Sequence, residues 1–559
     1  MASSGWGTRT PGPATGPLIG QTTYAFGQGA TVYRRAVTTA TKVDGAATVR
    51  LSEVLAAVSL ASDVGHDQPL EKSLRNAVVA TRLGMEIGLG RADLSDAYYV
   101  ALLRSMGCTA NAHEAAALMG DDRAFAGLIQ VLDAGDPLGW ARGAAEHVAS
   151  WAPALAATRT TAWFVAEGRK AGLEAGRSAC EVATTLARRL GLSAGVQLGL
   201  DQVYERWDGR GSPARARGEE LCMAARMAHL VDVVEIFDRA GGPAAAREVA
   251  RLRSGCHFDP ALVAVFDRVA DEVLGDLDGV DMLALALDIE PGPVPRCPRG
   301  ELAGLAETIA DFADLKSPWT LGHSPRVAAL ATQAVPGEDQ ETMRLAALLH
   351  DLGRVAVPNG IWDKAGTLGS AERERVRLHS YYSERILART PVFADVARLA
   401  GSHHERPDGS GYHHGRDGDG LTAQMRVLAC ADAYAAMTAD RPHRPALPAE
   451  QAAVQLRAEA ADGRLCGEAT EAVLAAAGHE RAPREGAPCG LTEREVEVLC
   501  LLARGLTNKQ IADQLVVSPR TVGHHVAHVY DKIDRRTRAG AAMFAVEHAI
   551  IRSGAPRAG

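Results

Sequence analysis

The chain has 559 residues, too many for one core, and this sets an expectation of about three or four domains. Hydrophobic residues make up 47% and charged residues 23%, so most of it should be globular, and no apolar run approaches the ~18 residues of a membrane span. The formal net charge of −8 excludes a surface coated in nucleic acid but leaves room for one small basic module.

Residues 1–45 are rich in Gly, Thr, Ser and Pro without a sustained period, and are expected to be disordered. They lack the charged-then-apolar order of a signal peptide. The nine cysteines are scattered without a CxxC pair, which fits reduced thiols in the cytoplasm. From 46 to 290 the apolar residues recur at helical spacing, as in SEVLAAVSLAS and SDAYYVALLRSMG. PGPVPRCPRG at 291–300 reads as a linker, 301–480 as a second helical block, 481–490 as another linker, and 491–553 as a compact helical module. The expected fold class is all-α.

The two blocks repeat one another. YERWDGRGSP at 204–213 is echoed by HERPDGSGYH at 404–413, with Gly218, Leu221, Arg226 and Asp232 matching Gly418, Leu421, Arg426 and Asp432. ALLRSMG at 101–107 likewise matches ALLHDLG at 347–353. The copies differ in their polar residues. The second has His323, His350-Asp351, His379, His403-His404 and Asp432. The first has Lys72, Arg104-Ser105 and Val203-Tyr204, with Cys180 near the place of His379, and keeps only Asp232.

Two adjacent polar groups at the end of an apolar helix, His350-Asp351, are costly to bury without partners. Imidazole and carboxylate ligands suit divalent iron, manganese or zinc. Seven such groups are too many for one ion and about right for two, with Asp351 as the natural bridge. Since the first copy keeps the frame without the histidines, packing does not demand them.

Residues 311–445 resemble the HD-GYP family of metal-dependent phosphohydrolases, through GHSPRV, LLHDLGRVAVPNGIWDKAGTL, HSYYSERIL, HHERPDGSGYH and RVLACADAYAAMTADRPHR. The resemblance implies metal ligands at His323, His350, Asp351, His379, His403, His404 and Asp432. It implies two divalent transition-metal ions, iron or manganese, and hydrolysis of a phosphodiester such as cyclic di-GMP. Asp351 and Arg354 would be catalytic; Arg354, Gly411, Tyr412, Arg441 and Arg444 would bind substrate. The substrate shell departs from the family: His413 replaces the Pro of GYP, Ala435 a second Asp, Arg354 a Lys, and Trp319 stands where some members have a Glu for a third metal. The first copy resembles the same family with its metal site erased.

In the last block Thr492 with Glu495, and Thr507 with Gln510, form capping boxes. Gly505 ends the first helix, and Ser518 caps a helix opened by Pro519. Val522, Val526, Val529 and Ile533 mark the buried face of that third helix, so it is the reader of a helix-turn-helix. LTEREVEVLCLLARG, NKQIADQL and SPRTV closely resemble the LuxR-type DNA-binding domain, whose fourth helix matches TRAGAAMFAVEHAII. The resemblance implies contacts to double-stranded DNA from Thr507, Asn508, Lys509, Ser518, Arg520, Thr521, His524, His525, His528 and Lys532. Gly523 stands where the family has Lys.

The whole chain thus reads as a cytoplasmic, homodimeric transcriptional regulator whose second block binds a phosphorylated signal such as cyclic di-GMP, and either hydrolyses it or only senses it. The alternative is primarily a metal-dependent cyclic-dinucleotide phosphodiesterase with an accessory DNA-binding module.

Overall fold

The computed structural model describes residues 48–133, 136–150, 154–479, 488–503, 506–535, 541, 544, 545 and 550. The segment 1–45, Gly505 and most of the expected fourth helix of the C-terminal module lie outside the described residues.

The helical expectation holds, with one addition. Among the described residues the strands are β1 (Thr48–Arg50) and β2 (Arg296–Pro298), which pair antiparallel with Val49 opposite Cys297. Part of the expected linker 291–300 is therefore a strand that closes the start of the first copy onto the start of the second. The first copy is carried chiefly by α1 (Leu51–Gly65), α2 (Lys72–Glu86), α3 (Arg91–Leu103), α4 (Ala154–Arg189), α5 (Ala194–Asp201) and α6 (Met223–Leu252). Gly241-Gly242-Pro243 breaks α6, because Gly242 takes φ +71° and Pro cannot continue the hydrogen-bond ladder. The second copy repeats the order with α7 (Leu302–Asp314), α8 (His323–Gln333), α9 (Gln340–Leu349), α10 (Ser370–Ala388), α11 (Ala394–Gly401) and α12 (Ala423–Met437).

The copies do not fold around separate cores. One continuous apolar cluster runs through both, and α1 packs on the segment after α9 as well as on α2 and α3. A buried polar joint backs this up. Asp122 accepts from Lys316 Nζ and, at 2.7 Å, from Asn359 N. All three are buried, so the pairing satisfies groups that would be costly alone.

The sequence echo has a structural reason. Glu405 accepts from the backbone N–H groups of His414 and Arg416, as Glu205 does from Ala214 and Arg215. Asp408 accepts from Ser410 N as Asp208 does from Arg210 N. A Cβ on Gly411 would lie 2.6 Å from Glu405 Cα, and one on Gly211 2.4 Å from Glu205 Cα. These residues build one loop in both copies, so they persist whether or not a ligand is held beside them.

The C-terminal module has its own core, formed by α13 (Glu493–Ala503), α14 (Asn508–Leu515) and α15 (Pro519–Ile533), joined by Ala541, Phe544 and Ala545. Its caps are as expected: Thr492 with Glu495, Thr507 with Gln510, and Ser518 Oγ accepting from Thr521 N at 3.1 Å. Val522, Val529 and Ile533 are buried, and Val526 is partly so. Among the described residues no helix is long and apolar enough to cross a membrane.

Candidate metal centre and nucleic-acid interface

Five elements of the second copy deliver the seven polar residues to one place. His323 opens α8, His350-Asp351 follows α9, His379 lies within α10, His403-His404 follows α11, and Asp432 lies within α12. All are buried except His404, which is half-buried. Asp351 is the hub. Its Oδ2 lies 3.0 Å from His350 Nε2 and 3.5 Å from His323 Nε2. Its Oδ1 lies 3.4 Å from His379 Nε2 and 3.6 Å from His403 Nε2. Asp432 Oδ1 is 3.1 Å from His323 Nε2, and its Oδ2 is 3.9 Å from His404 Nδ1. The donors form two groups, His323–His350–Asp351–Asp432 and His379–His403–His404, with one oxygen of Asp351 turned to each.

The rings are oriented from behind. The Nδ1 atoms of His350, His379 and His403 each meet the carbonyl three residues earlier, on Ala347, Val376 and Ala400. A carbonyl only accepts, so each Nδ1 carries a proton and each Nε2 can offer a lone pair inward. His379 Nε2 and His403 Nε2 then face one another at 3.0 Å. His350 Nε2 and both oxygens of Asp351 lack a hydrogen bond of good geometry, although His350 Nε2 sits 3.0 Å from Asp351 Oδ2. Converging, orphaned nitrogen and oxygen donors of this kind fit a divalent transition-metal ion.

The electrostatics agree. Burial opposes the charge on Asp351, yet Arg354 and His350 outweigh it and hold the carboxyl well below the usual range. His323 and His350 do the same for Asp432. Burial lowers His379 to about 3 and holds His404 well below an ordinary imidazole, so both are neutral at pH 7. Burial would lower His350 too, but Asp351 and Asp432 raise it to about 10. Without a cation, a proton on His350 stands in for one.

The expected substrate residues divide. Arg354 donates toward Asp351 at 2.7 Å and lies over the Trp362 ring, while its Nε and Nη1 are buried without partners. Tyr412 packs on His404 with ring centroids 4.4 Å apart, under the guanidinium of Arg377. Burial, then Arg354, lowers Arg441 to about 10, and it feels Asp432 and Asp351, which puts it beside the cluster. Arg444 spends its donors on the carbonyls of Ala436, Met437 and Pro445, at the end of α12. Gly411 serves close chain approach. Sequence reasoning missed Trp362 and Arg377, although WDKAGTL follows directly on the His-Asp segment.

The first copy has the same frame with cations built in. Asp63 accepts from Ser73 N and Oγ as Asp314 does from Ser324, which puts Lys72 at the place of His323. Lys72 Nζ and Arg104 Nη1, the latter at 3.1 Å, pair with Asp232, and Asn76 Nδ2 donates to it at 3.1 Å. A Cβ on Gly107 would strike Ala179 O, as one on Gly353 would strike His379 O, so Ala179 is the counterpart of His379 and Cys180 is one residue beyond it. Among the described residues no group of three or more candidate metal ligands lies in this copy.

In the C-terminal module, Ser518, Arg520, Thr521, His524, His525 and His528 line one shallow groove of ≈ 320 Å³. Thr507 caps α14, and Asn508 and Lys509 are its first two residues. Lys532 faces elsewhere: its Nζ meets Glu495 Oε2 at 2.7 Å and Gly490 O at 2.9 Å. A Cβ on Gly523 would touch nothing within 4 Å, so its small size answers no packing need.

Comparison with known proteins gives the same two parts. Residues 307–466 match the HD domain family, and residues 490–545 match the bacterial regulatory proteins of the luxR family. The chain is 31% identical over 417 residues to the 3'3'-cGAMP-specific phosphodiesterase 3 of Vibrio cholerae, covering 72% of this chain and 90% of that protein. At 417 residues that alignment is longer than everything from residue 301 onward, so it takes in part of the first copy as well. The chain is 36% identical over 172 residues to a cyclic di-GMP phosphodiesterase of Thermotoga maritima, covering 30% of this chain and 45% of that one. It is also similar to the crystal structure of a cyclic GMP-AMP specific phosphodiesterase of V. cholerae, with a TM-score of 0.54 and 27% identity, covering 78% of this chain and 99% of the other.

Proposed function

Because this chain belongs to the HD-GYP family of phosphodiesterases and carries a LuxR-type helix-turn-helix, we propose that it is a DNA-binding regulator whose second copy binds and hydrolyses a cyclic dinucleotide. The observation that carries the enzymatic half is the convergence of four imidazole Nε2 atoms on the two oxygens of Asp351. His323, His350, Asp351 and Asp432 would hold one ion, and His379, His403 and His404, with Asp351, a second. Iron or manganese suits this set. Such ions supply Lewis-acid activation of water and of a phosphoryl oxygen.

The chain's own residues do the rest. Asp351 ties the two groups together. Arg354 and Arg441 present cationic donors to the phosphates; the buried Nε and Nη1 of Arg354, which lack partners, gain most from an anion, while Arg441 Nη1 already donates to Trp319 O at 3.2 Å. Tyr412, packed between His404 and Arg377, would line the substrate beside them. The long alignment with a 3'3'-cGAMP-specific enzyme favours that dinucleotide beside cyclic di-GMP as the substrate.

The DNA half rests on the groove of Arg520, Thr521 and three histidines on α15. A single helix-turn-helix reads few base pairs, so the chain acts as a homodimer on paired half-sites. A ligand shifts DNA affinity only by its unequal affinity for the two pairing states.

The test has two arms. Full-length protein loaded with iron or manganese should hydrolyse 3'3'-cGAMP or cyclic di-GMP, and Asp351→Ala should abolish this. Its affinity for a selected DNA site should change when the dinucleotide is added. Hydrolysis that survives Asp351→Ala would place the activity elsewhere. DNA affinity indifferent to both dinucleotides would leave an enzyme with an accessory DNA-binding module.

A further inference from the structure

One cluster of ligand-type side chains in the second copy lies outside the Asp351 site. Glu384 is on α10, and His413 and His414 follow Tyr412 in the loop pinned by Glu405. His414 Nε2 lies 2.7 Å from Glu384 Oε2, and His413 Nε2 lies 3.5 Å from the same oxygen. The three offer ligand atoms all within 4.8 Å of one another, and all are partly exposed.

Contacts outside the cluster position the loop that carries the two histidines. The Ser380 hydroxyl donates to Arg377 O and lies 3.2 Å from His413 Nδ1, while His414 Nε2–H donates to Glu384 Oε2 at 2.7 Å, a proton that a metal displaces. His414 is fixed through its backbone N–H, which donates to Glu405 at 3.0 Å. A Cβ on Gly401 would fall 2.6 Å from Glu384 Oε2, so the glycine leaves the space that the carboxylate fills.

The first copy is the control. At the 200-residue offset it has Thr184, Pro213 and Ala214. The loop is built there by the same Glu205, Asp208 and Gly211, so the fold does not call for two histidines and a glutamate at these positions.

We propose that Glu384, His413 and His414 form a peripheral metal site of the zinc class, separate from the ligands around Asp351. Two imidazoles and a carboxylate with an open position are a common donor set for Zn²⁺. Metal there ties the loop to α10, in addition to the contacts that Glu405 makes with His414 and Arg416. It thereby fixes Tyr412, the residue between the two sites, against His404.

The experiment measures Zn²⁺ bound to the full chain by equilibrium dialysis, with folding checked by circular dichroism. The double variant Glu384→Gln/His414→Ala should bind one equivalent less than the unaltered chain. His413→Asn should lose the same equivalent, which guards against a folding defect in the first variant. Adding His414→Ala to His350→Ala should remove zinc that His350→Ala alone retains. Equal zinc content in the unaltered chain, the double variant and His413→Asn overturns the proposal, as does zinc in His350→Ala that His414→Ala leaves in place.

Discussion

His379 and His403 point their Nε2 atoms at each other across 3.0 Å of protein interior, while the Nδ1 of each ring is held by a backbone carbonyl. With both Nδ1 atoms protonated, the facing Nε2 atoms need either a shared proton or a cation to relieve the repulsion of their lone pairs. That pair of residues states most economically what the second copy is built to hold.

Asp351→Ala should therefore strip most of the transition metal from the chain, as measured by elemental analysis after anaerobic purification with iron or manganese. The substitution removes the carboxylate whose two oxygens lie nearest four of the imidazoles, two in each donor group. Full metal content in the variant would mean that the groups bind independently of Asp351.

Metal binding should release protons, and the sign follows from His350. Its folded pKa, about 10, lies above the unfolded value near 6.5. Without metal, the stabilisation from its proton is complete below about 6.5 and is lost as pH rises through about 10. Metal must displace that proton, so metal affinity should rise with pH across this window, about tenfold per unit for one proton. Calorimetric titrations in buffers of different ionisation enthalpy would count it. His379 and His404 are already neutral at pH 7 and should add nothing.

In the first copy the central carboxylate is Asp232. It is the shared partner of Lys72 and Arg104, both deeply set. Asp232→Ala leaves two cations without their common anion and should cost about 3–5 kcal/mol in urea unfolding. Metal content should stay unchanged, which separates this copy's role from that of the second.

Arg354→Ala and Arg441→Ala should weaken cyclic-dinucleotide binding, by about 1.5–3 kcal/mol for each charge-assisted hydrogen bond lost. Metal content should fall less than in Asp351→Ala. Steady-state kinetics on metal-loaded protein, with metal analysis beside it, would expose an Arg354 that serves only to steady Asp351.

For DNA, two cations on α15 should behave differently. Arg520→Ala should weaken binding and reduce the slope of log affinity against log salt by about one, as loss of a phosphate contact does. Lys532 is paired with Glu495 in the cap of α13, so Lys532→Ala should lower the melting temperature of the module and leave that slope alone. Equal slopes for the two variants would show that Lys532 leaves Glu495 for the phosphate backbone.

Much of this was legible in the primary structure. Helical spacing and caps marked the elements, the 200-residue echo exposed the repeat, and seven His and Asp residues in family order named the side chains that the fold brings together. Those signals are local, because a cap or a His-Asp pair needs only its neighbours to be recognised. What needed the tertiary structure was every relationship between distant segments. The linker at 291–300 gave no sign of pairing with Thr48–Arg50. Nothing at Asp122 announced Lys316 and Asn359, and so the shared core of the two copies. Arg444 and Lys532 carry the charges that phosphates need, but whether their donors are free depends on which carbonyls and carboxylates the fold brings within hydrogen-bond reach. The composition of the chain selects the chemistry it can perform, and packing decides which side chains are left unpaired to perform it.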